Sequence, residues 1–87
     1  MIKIVGLDPL PHARLALRFS DGTHGMWSAA DVIARDTVLT RPLTDPEYFG
    51  RAFIEGGALA WPNGLEFSPA ALHAQLAAAG SLERYAA

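Results

Sequence analysis

The sequence contains no cysteine. That excludes disulfide bridges, thiolate metal sites and cysteine nucleophiles together. A reducing compartment is compatible with this, and a cytoplasmic location is the expectation. Charge is sparse, at 18% of residues, with a formal net charge of −2. The seven basic residues (Lys3, Arg14, Arg18, Arg35, Arg41, Arg51 and Arg84) are scattered along the chain. No basic run exists to track a phosphate backbone, so direct nucleic-acid binding is disfavoured. Long apolar runs are missing as well. No stretch approaches the length of a transmembrane helix, and no membrane partner is expected. The opening Met-Ile-Lys-Ile-Val-Gly-Leu-Asp-Pro has too short and too broken an apolar run for a signal peptide. There is no internal repeat, and no low-complexity segment beyond the alanines near the end.

What is present suits one small packed domain: 87 residues, 51% of them hydrophobic. Residues 1–80 read as a single α+β domain and 81–87 as a tail that frays or docks Leu82 and Tyr85. A domain this small is only marginally served by one core, which leaves room for self-association or a partner. The most legible stretch runs from Phe53 to Leu76. It reads as a strand, a Gly56-Gly57 hairpin turn, a second strand, a Pro62-Asn63-Gly64 turn, and a helix. Ser68 is placed to cap that helix, with Pro69 at its first position. Phe67 and Leu72 stand at the two positions of a hydrophobic staple. The helix should continue to Ala79 and stop at Gly80, with Leu72, Leu76 and Ala79 on one stripe.

Upstream, Ile2 to Leu7 is β-branched and apolar, so it reads as the first strand. Asp8-Pro9-Leu10-Pro11-His12 should end it in a stiff loop. Arg14 to Phe19 alternates with period two, and Thr23 to Trp27 returns as its partner. The turn between them decides which way Trp27 points. A Ser20-Asp21-Gly22 loop with Gly22 left-handed sets Trp27 opposite Leu15, inside, and leaves Met26 outside. A two-residue Asp21-Gly22 turn exchanges the faces. Burying the larger aromatic favours the first register. Ser28-Ala29-Ala30-Asp31 resembles a capping box, predicting a short helix from Ala29 to about Arg35 that buries Val32 and Ile33. Asp36 to Leu43 has no period. Pro42 should end any helix before it, with Val38, Leu39 and Leu43 packed on the core from an irregular segment. Asp45-Pro46 starts another short helix that Gly50 stops. The fold class is therefore α+β: a small antiparallel sheet of four to five strands, with a C-terminal helix and short helices packed on one face.

The search for chemistry returns structural explanations. His12, His24 and His73 fall in three different elements, none at metal-ligand spacing. Asp8, Asp21, Asp31 and Asp45 sit where turns and caps want a short acceptor, while Glu55 and Glu66 suit a solvated strand face. No Gly-x-Ser-x-Gly elbow and no phosphate loop is present. No catalytic, cofactor-binding or metal-binding residue is assigned, and no cofactor is expected. Trp27, Trp61 and Tyr48 are aromatics of the kind that more often fill a core than mark an interface. The candidate interaction surface is drawn from Trp61, Tyr85 and His12. Tyr85 qualifies by its place in the tail. His12 qualifies as the general base of a pocket between the Asp8–His12 loop and the Trp61–Gly64 turn.

Several short motifs occur in a fixed order. They are Phe19-Ser20-Asp21-Gly22-Thr23, then Pro42-Leu43-Thr44-Asp45-Pro46 with Phe49, then Leu59-Ala60-Trp61-Pro62-Asn63-Gly64, then Ser68-Pro69 with Leu72. Each alone is a generic turn or cap. In this order they resemble the domain of unknown function 2442 family of small bacterial proteins, from about Ile4 to His73. The resemblance implies a compact α+β domain and no established activity. Some members of that family continue into a helix-turn-helix domain, and others are encoded beside a second small protein in a toxin–antitoxin-like arrangement. Two positions depart from the pattern. Ser28 stands where members usually have Asp, and Trp27 where they have a small aliphatic residue.

The reading that follows is a non-enzymatic interaction module, the antidote-like partner of a small protein encoded nearby, or one that self-associates. The alternatives are a regulatory subunit associated with DNA through a partner, and a small ligand-binding protein or enzyme.

Overall fold

The computed structural model of the chain describes residues 1–84. The Arg14–Phe19 strand forms as its alternation dictates, with Leu15, Leu17 and Phe19 all buried. We label it β2, between β1 (Ile4–Leu10) and β3 (Thr23–Ser28). Leu15 pairs with Trp27 and Ala16 with Met26. Gly22 is left-handed at φ 85°, and its N–H donates to the Phe19 carbonyl at 3.1 Å. This is the bulged register: Trp27 is 2% exposed and Met26 50%.

Strand β1 departs from expectation. It does not stop at Leu7 but runs on, pairing Asp8 with Ala16, Pro9 with Leu15 and Leu10 with Arg14. β1 is an edge strand of its sheet, and on an edge a proline's missing N–H leaves no neighbouring strand unpaired. A bulge between Ile4 and Gly6 turns Val5 out to solvent.

The helices form largely where their caps place them. α1 is Ala30–Ala34, one residue later than the capping box predicts. Its N-cap is Ala29, without a side-chain bond. Ser28 instead accepts from the Ala30 N–H at 3.2 Å. Val32 is buried and Ile33 half-buried. Pro42 lies inside a one-turn 3-10 segment, Arg41–Thr44, rather than after a helix; the first turn needs no proline N–H. α2 is Pro46–Phe49, capped by Asp45, which accepts from the Glu47 N–H at 3.0 Å.

β4 (Phe53–Glu55) and β5 (Ala58–Ala60) meet at Gly56-Gly57, both left-handed, and β6 (Glu66–Phe67) follows. α3 (Pro69–Ala78) begins at Ser68, which accepts from the Ala71 N–H at 3.3 Å. It ends at left-handed Gly80, where Ser81 N–H reaches the Leu76 carbonyl at 2.8 Å and Gly80 N–H reaches Ala77 at 3.0 Å. That pair of bonds is a Schellman motif. Leu72 and Leu76 are buried, but Ala79 lies outside the stripe and is exposed. Glu83–Arg84 then adds a short strand, β7, to β3.

The architecture is α+β, and the strands divide into two sheets rather than one: β1-β2-β3-β7 and β4-β5-β6. One core cluster joins them, with Ile4, Leu15, Leu17, Phe19 and Trp27 from the first sheet, Leu59 from β5 and Trp61 just after it. Phe49, Leu72 and Leu76 close it from the helices.

Candidate functional site

The sequence-derived surface residues do not converge. Trp61 is 1% exposed, its indole N–H donating to the Phe49 carbonyl at 3.1 Å, and it stacks among Trp27, Phe49 and Phe67. Tyr85 lies outside the described residues. His12 is exposed in the β1–β2 turn.

Beside His12 is a groove of about 420 Å³. Its second wall is not the Trp61–Gly64 turn. It is Ile33 of α1, Leu43 and Thr44 of the 3-10 turn, and Pro46 and Phe49 of α2. His12 and Ala13 have φ 65° and 55°, the left-handed region that side chains avoid. The turn is tied down by Ala29 N–H to the Ala13 carbonyl at 2.8 Å and Arg14 Nε to the Pro11 carbonyl at 2.9 Å. Replacing Ala13 by Gly should relieve the strain and raise stability by on the order of 1 kcal/mol. A denaturant midpoint unchanged or lowered in Ala13→Gly would show that the turn is not strained.

A second cluster joins residues that sequence spacing cannot connect. The Asp21 carboxylate accepts from the Thr23 hydroxyl at 2.6 Å, the Thr23 N–H at 3.1 Å and, on its other oxygen, meets His73 Nε2 at 2.8 Å. Phe19 packs edge-on against the His73 ring. The Thr23 hydroxyl above all holds the Asp21 carboxyl down, to about 2; partial burial opposes this, and the Thr23 N–H and His73 add to the lowering.

This is not a hydrolytic triad. In a triad the imidazole stands between hydroxyl and carboxylate, so that it can take the hydroxyl proton. Here the carboxylate stands between them and already holds that proton's bond, and Thr23 is buried. The cluster ties the β2–β3 turn to α3. Because the folded carboxyl titrates below the ordinary value of 3.8, the unfolded chain binds more protons in that window. The stabilisation is therefore fully present well above pH 3.8 and is lost progressively as pH falls through 3.8 and then through about 2. Asp21→Asn should flatten the acid limb of stability over that interval. An unaltered slope in acid titrations of the variant would show that Asp21 does not contribute it.

The least expected feature lies between α1 and the 3-10 turn. Val38 and Leu39 do not pack on the core: they are 78% and 42% exposed. Thr40 takes the buried place, at 4% exposure, because it bonds to Thr37. The two hydroxyls lie 2.9 Å apart, and the Thr40 hydroxyl accepts from the Thr37 N–H at 2.9 Å. Arg41 N–H reaches the Thr37 carbonyl at 2.9 Å, closing the turn. Outside it, Arg41 Nε and Asp36 pair at 2.8 Å across the stem, and Asp36 is itself left-handed at φ 51°. From the far side, Asn63 Nδ2 donates to the Leu39 carbonyl at 3.1 Å, while Asn63 N–H donates to the Tyr48 hydroxyl at 3.1 Å. Two aliphatic residues are thus presented to solvent on a loop clamped at stem, waist and tip. The only sequence signal was Thr-x-x-Thr bracketing the apolar pair.

Among the described residues no group of three or more His, Cys, Asp or Glu side chains is placed to hold a metal ion. No helix among them is long and apolar enough to cross a membrane. The family described as Protein of unknown function (DUF2442) matches residues 4–77, and the chain belongs to that family. No curated protein and no solved structure matches the chain.

Proposed function

We propose that this DUF2442 member is a non-enzymatic interaction module whose contact surface is the tip of the Asp36–Arg41 loop. The observation that carries this is the clamped exposure of Val38 and Leu39. Full burial of a Val or Leu side chain is worth roughly 1.5–3 kcal/mol, and here that gain is left unrealised by the isolated chain. A pre-ordered loop also avoids the cost of freezing itself on binding. The carboxylate-centred order of the Asp21 cluster supports the non-enzymatic part of the reading. In its finer form, the module is the antidote-like partner of a small protein encoded nearby.

Co-purification of the tagged chain from its host, followed by reconstitution from purified components, tests this. Val38→Asp should weaken the reconstituted complex at least about tenfold, as loss of an interface anchor does. Full binding by the variant would remove the loop from the surface. Recovery of no stoichiometric partner and no self-associated form would remove the reading.

The groove beside His12 favours a second reading, a small-ligand site, because about 420 Å³ falls in the range that ligand pockets occupy. A fragment screen that moves no His12 ring resonance counts against it.

A further inference from the structure

We infer that Asn63 is a deamidation site, and that its conversion releases one clamp on the Val38–Leu39 loop. The site stands on its own geometry; only its bearing on binding rests on the loop tip being a contact surface. Asn63 is the chain's only asparagine, and Gly64 follows it. Deamidation needs the amide nitrogen of the next residue to reach the asparagine Cγ, and a glycine, without a Cβ, leaves that approach clear. Both residues are exposed. Gly64 is left-handed at φ 93°, with open space where a Cβ would stand.

The reaction is redox-neutral and consumes only water. The Gly64 nitrogen loses its proton to solvent and attacks Asn63 Cγ. A cyclic imide closes, the Cγ–Nδ2 bond breaks, and Nδ2 takes up a proton and leaves as ammonia. Water then adds to either imide carbonyl and breaks its bond to the ring nitrogen. The products are aspartate and isoaspartate.

Three hydrogen bonds set the pace. Gly64 N–H donates to the Trp61 carbonyl, Asn63 Oδ1 accepts from the Leu65 N–H, and Asn63 Nδ2 donates to the Leu39 carbonyl, each at 3.1 Å. The closed turn thus engages both the nucleophile and the amide it attacks, so the reaction proceeds through openings of the turn. A short exposed turn belongs to the low end of local stability, so such openings are frequent. The outcome is selective. Neither product carries the Nδ2–H donor, and a carboxylate oxygen beside the Leu39 carbonyl sets acceptor against acceptor. The aspartate product can still accept from the Leu65 N–H, so it keeps the turn and gives up the loop. The Asp36–Arg41 pair and the Thr37–Thr40 bonds are left to hold the loop without its far-side clamp.

Mass spectrometry of the pure chain, held folded or in denaturant at mildly alkaline pH, tests the site. Gln75 is the only other side-chain amide, and peptide mapping separates the two. Mass gain should fall on the Asn63 peptide, with isoaspartate among the products, at a rate no more than roughly 100-fold below that of the unfolded chain. Hydrogen exchange of Asn63→Asp tests the release. Exchange at residues 37–41 should quicken roughly 2- to 10-fold, as loss of one hydrogen bond does, while the Gly64 and Leu65 amides keep their protection.

A folded chain that gains no mass at Asn63 over that span overturns the site. Unchanged exchange at residues 37–41 in Asn63→Asp overturns the release. If Asn63→Asp loosens the loop and yet binds the reconstituted partner with full affinity, both parts of the inference stand, and it is the loop-tip reading that falls.

Discussion

Trp61→Ala is expected to lose about 3–5 kcal/mol of stability, the range for truncating a fully buried large aromatic. A domain of this kind holds roughly 5–15 kcal/mol in all, so the variant should be close to unfolded at ordinary temperature. Trp61 follows directly on β5, at the start of the turn that Asn63 and Gly64 complete, and its N–H donates to the Leu65 carbonyl at 2.9 Å. Its ring lies 6.4 Å from Trp27, 5.7 Å from Phe49 and 6.1 Å from Phe67. It therefore joins the four-stranded sheet, α2 and the β6–α3 corner in one contact set. Its indole N–H also satisfies the Phe49 carbonyl. Trp61→Phe separates the two contributions. It keeps most of the apolar volume and gives up the hydrogen bond, so it should lose a smaller amount, led by the roughly 0.5–1.5 kcal/mol net worth of one hydrogen bond, because the Phe49 carbonyl still accepts from the Ala52 N–H at 3.3 Å. A denaturant titration in which Trp61→Ala loses no more than Trp61→Phe would show that the cluster repacks around the gap.

Where backbone chemistry is local, it was legible in the sequence. Gly56-Gly57, Asn63-Gly64, Ser68-Pro69 and Asp45-Pro46 each need a left-handed glycine, a short acceptor or a missing N–H, and each residue type is the one its position demands. The Ser20-Asp21-Gly22 register was legible because one face had to hide a tryptophan. The division into two sheets was not. A tight hairpin such as β4–β5 fixes its own pairing and carries no mark of whether it extends a neighbouring sheet. Pro9 misled for a related reason: whether proline ends a strand depends on whether that strand is an edge.

The features bearing on function were hidden in another way. Asp21 and His73 are brought together only by the packing of α3 on the β2–β3 turn. Val38 and Leu39 read as core because hydropathy sees two aliphatics. It does not see that Thr37 and Thr40 bond to each other and that Thr40 takes the buried place. A pair of threonine hydroxyls outweighs the local hydrophobic pattern there because Thr40, once paired, is buried with its polar group satisfied.

Gly25→Val should cost about 1–3 kcal/mol by overpacking, against the direction that strand propensity alone would give. The glycine is needed for space. A Cβ built at Gly25 meets the Ser81 carbonyl oxygen at 2.9 Å, Leu76 Cδ1 at 3.3 Å and Leu82 Cδ2 at 3.4 Å. The nearest of these is backbone, in the segment that leaves α3 for β7, and it cannot swing aside as a side-chain end can. Gly25 is thus the gap on β3 through which the chain after α3 passes close to the sheet. Either the end of α3 or the segment after it must yield. The helix end is held by the Ser81 N–H to Leu76 carbonyl bond at 2.8 Å. β7 is two residues long, pairing Thr23 with Arg84 and His24 with Glu83, with Arg84 Nη1 donating to the Asp21 carbonyl at 3.1 Å. The exposed two-residue strand is the weaker of the two, so it should detach first. In hydrogen exchange, Gly25→Val should deprotect residues 82–84 while the Arg14–Ser28 ladder keeps its protection, and Gly25→Ala should do so to a lesser degree. Unchanged exchange at 82–84 together with unchanged stability would show that the tail gives way without loss, and that the close approach at Gly25 does not hold β7 in place.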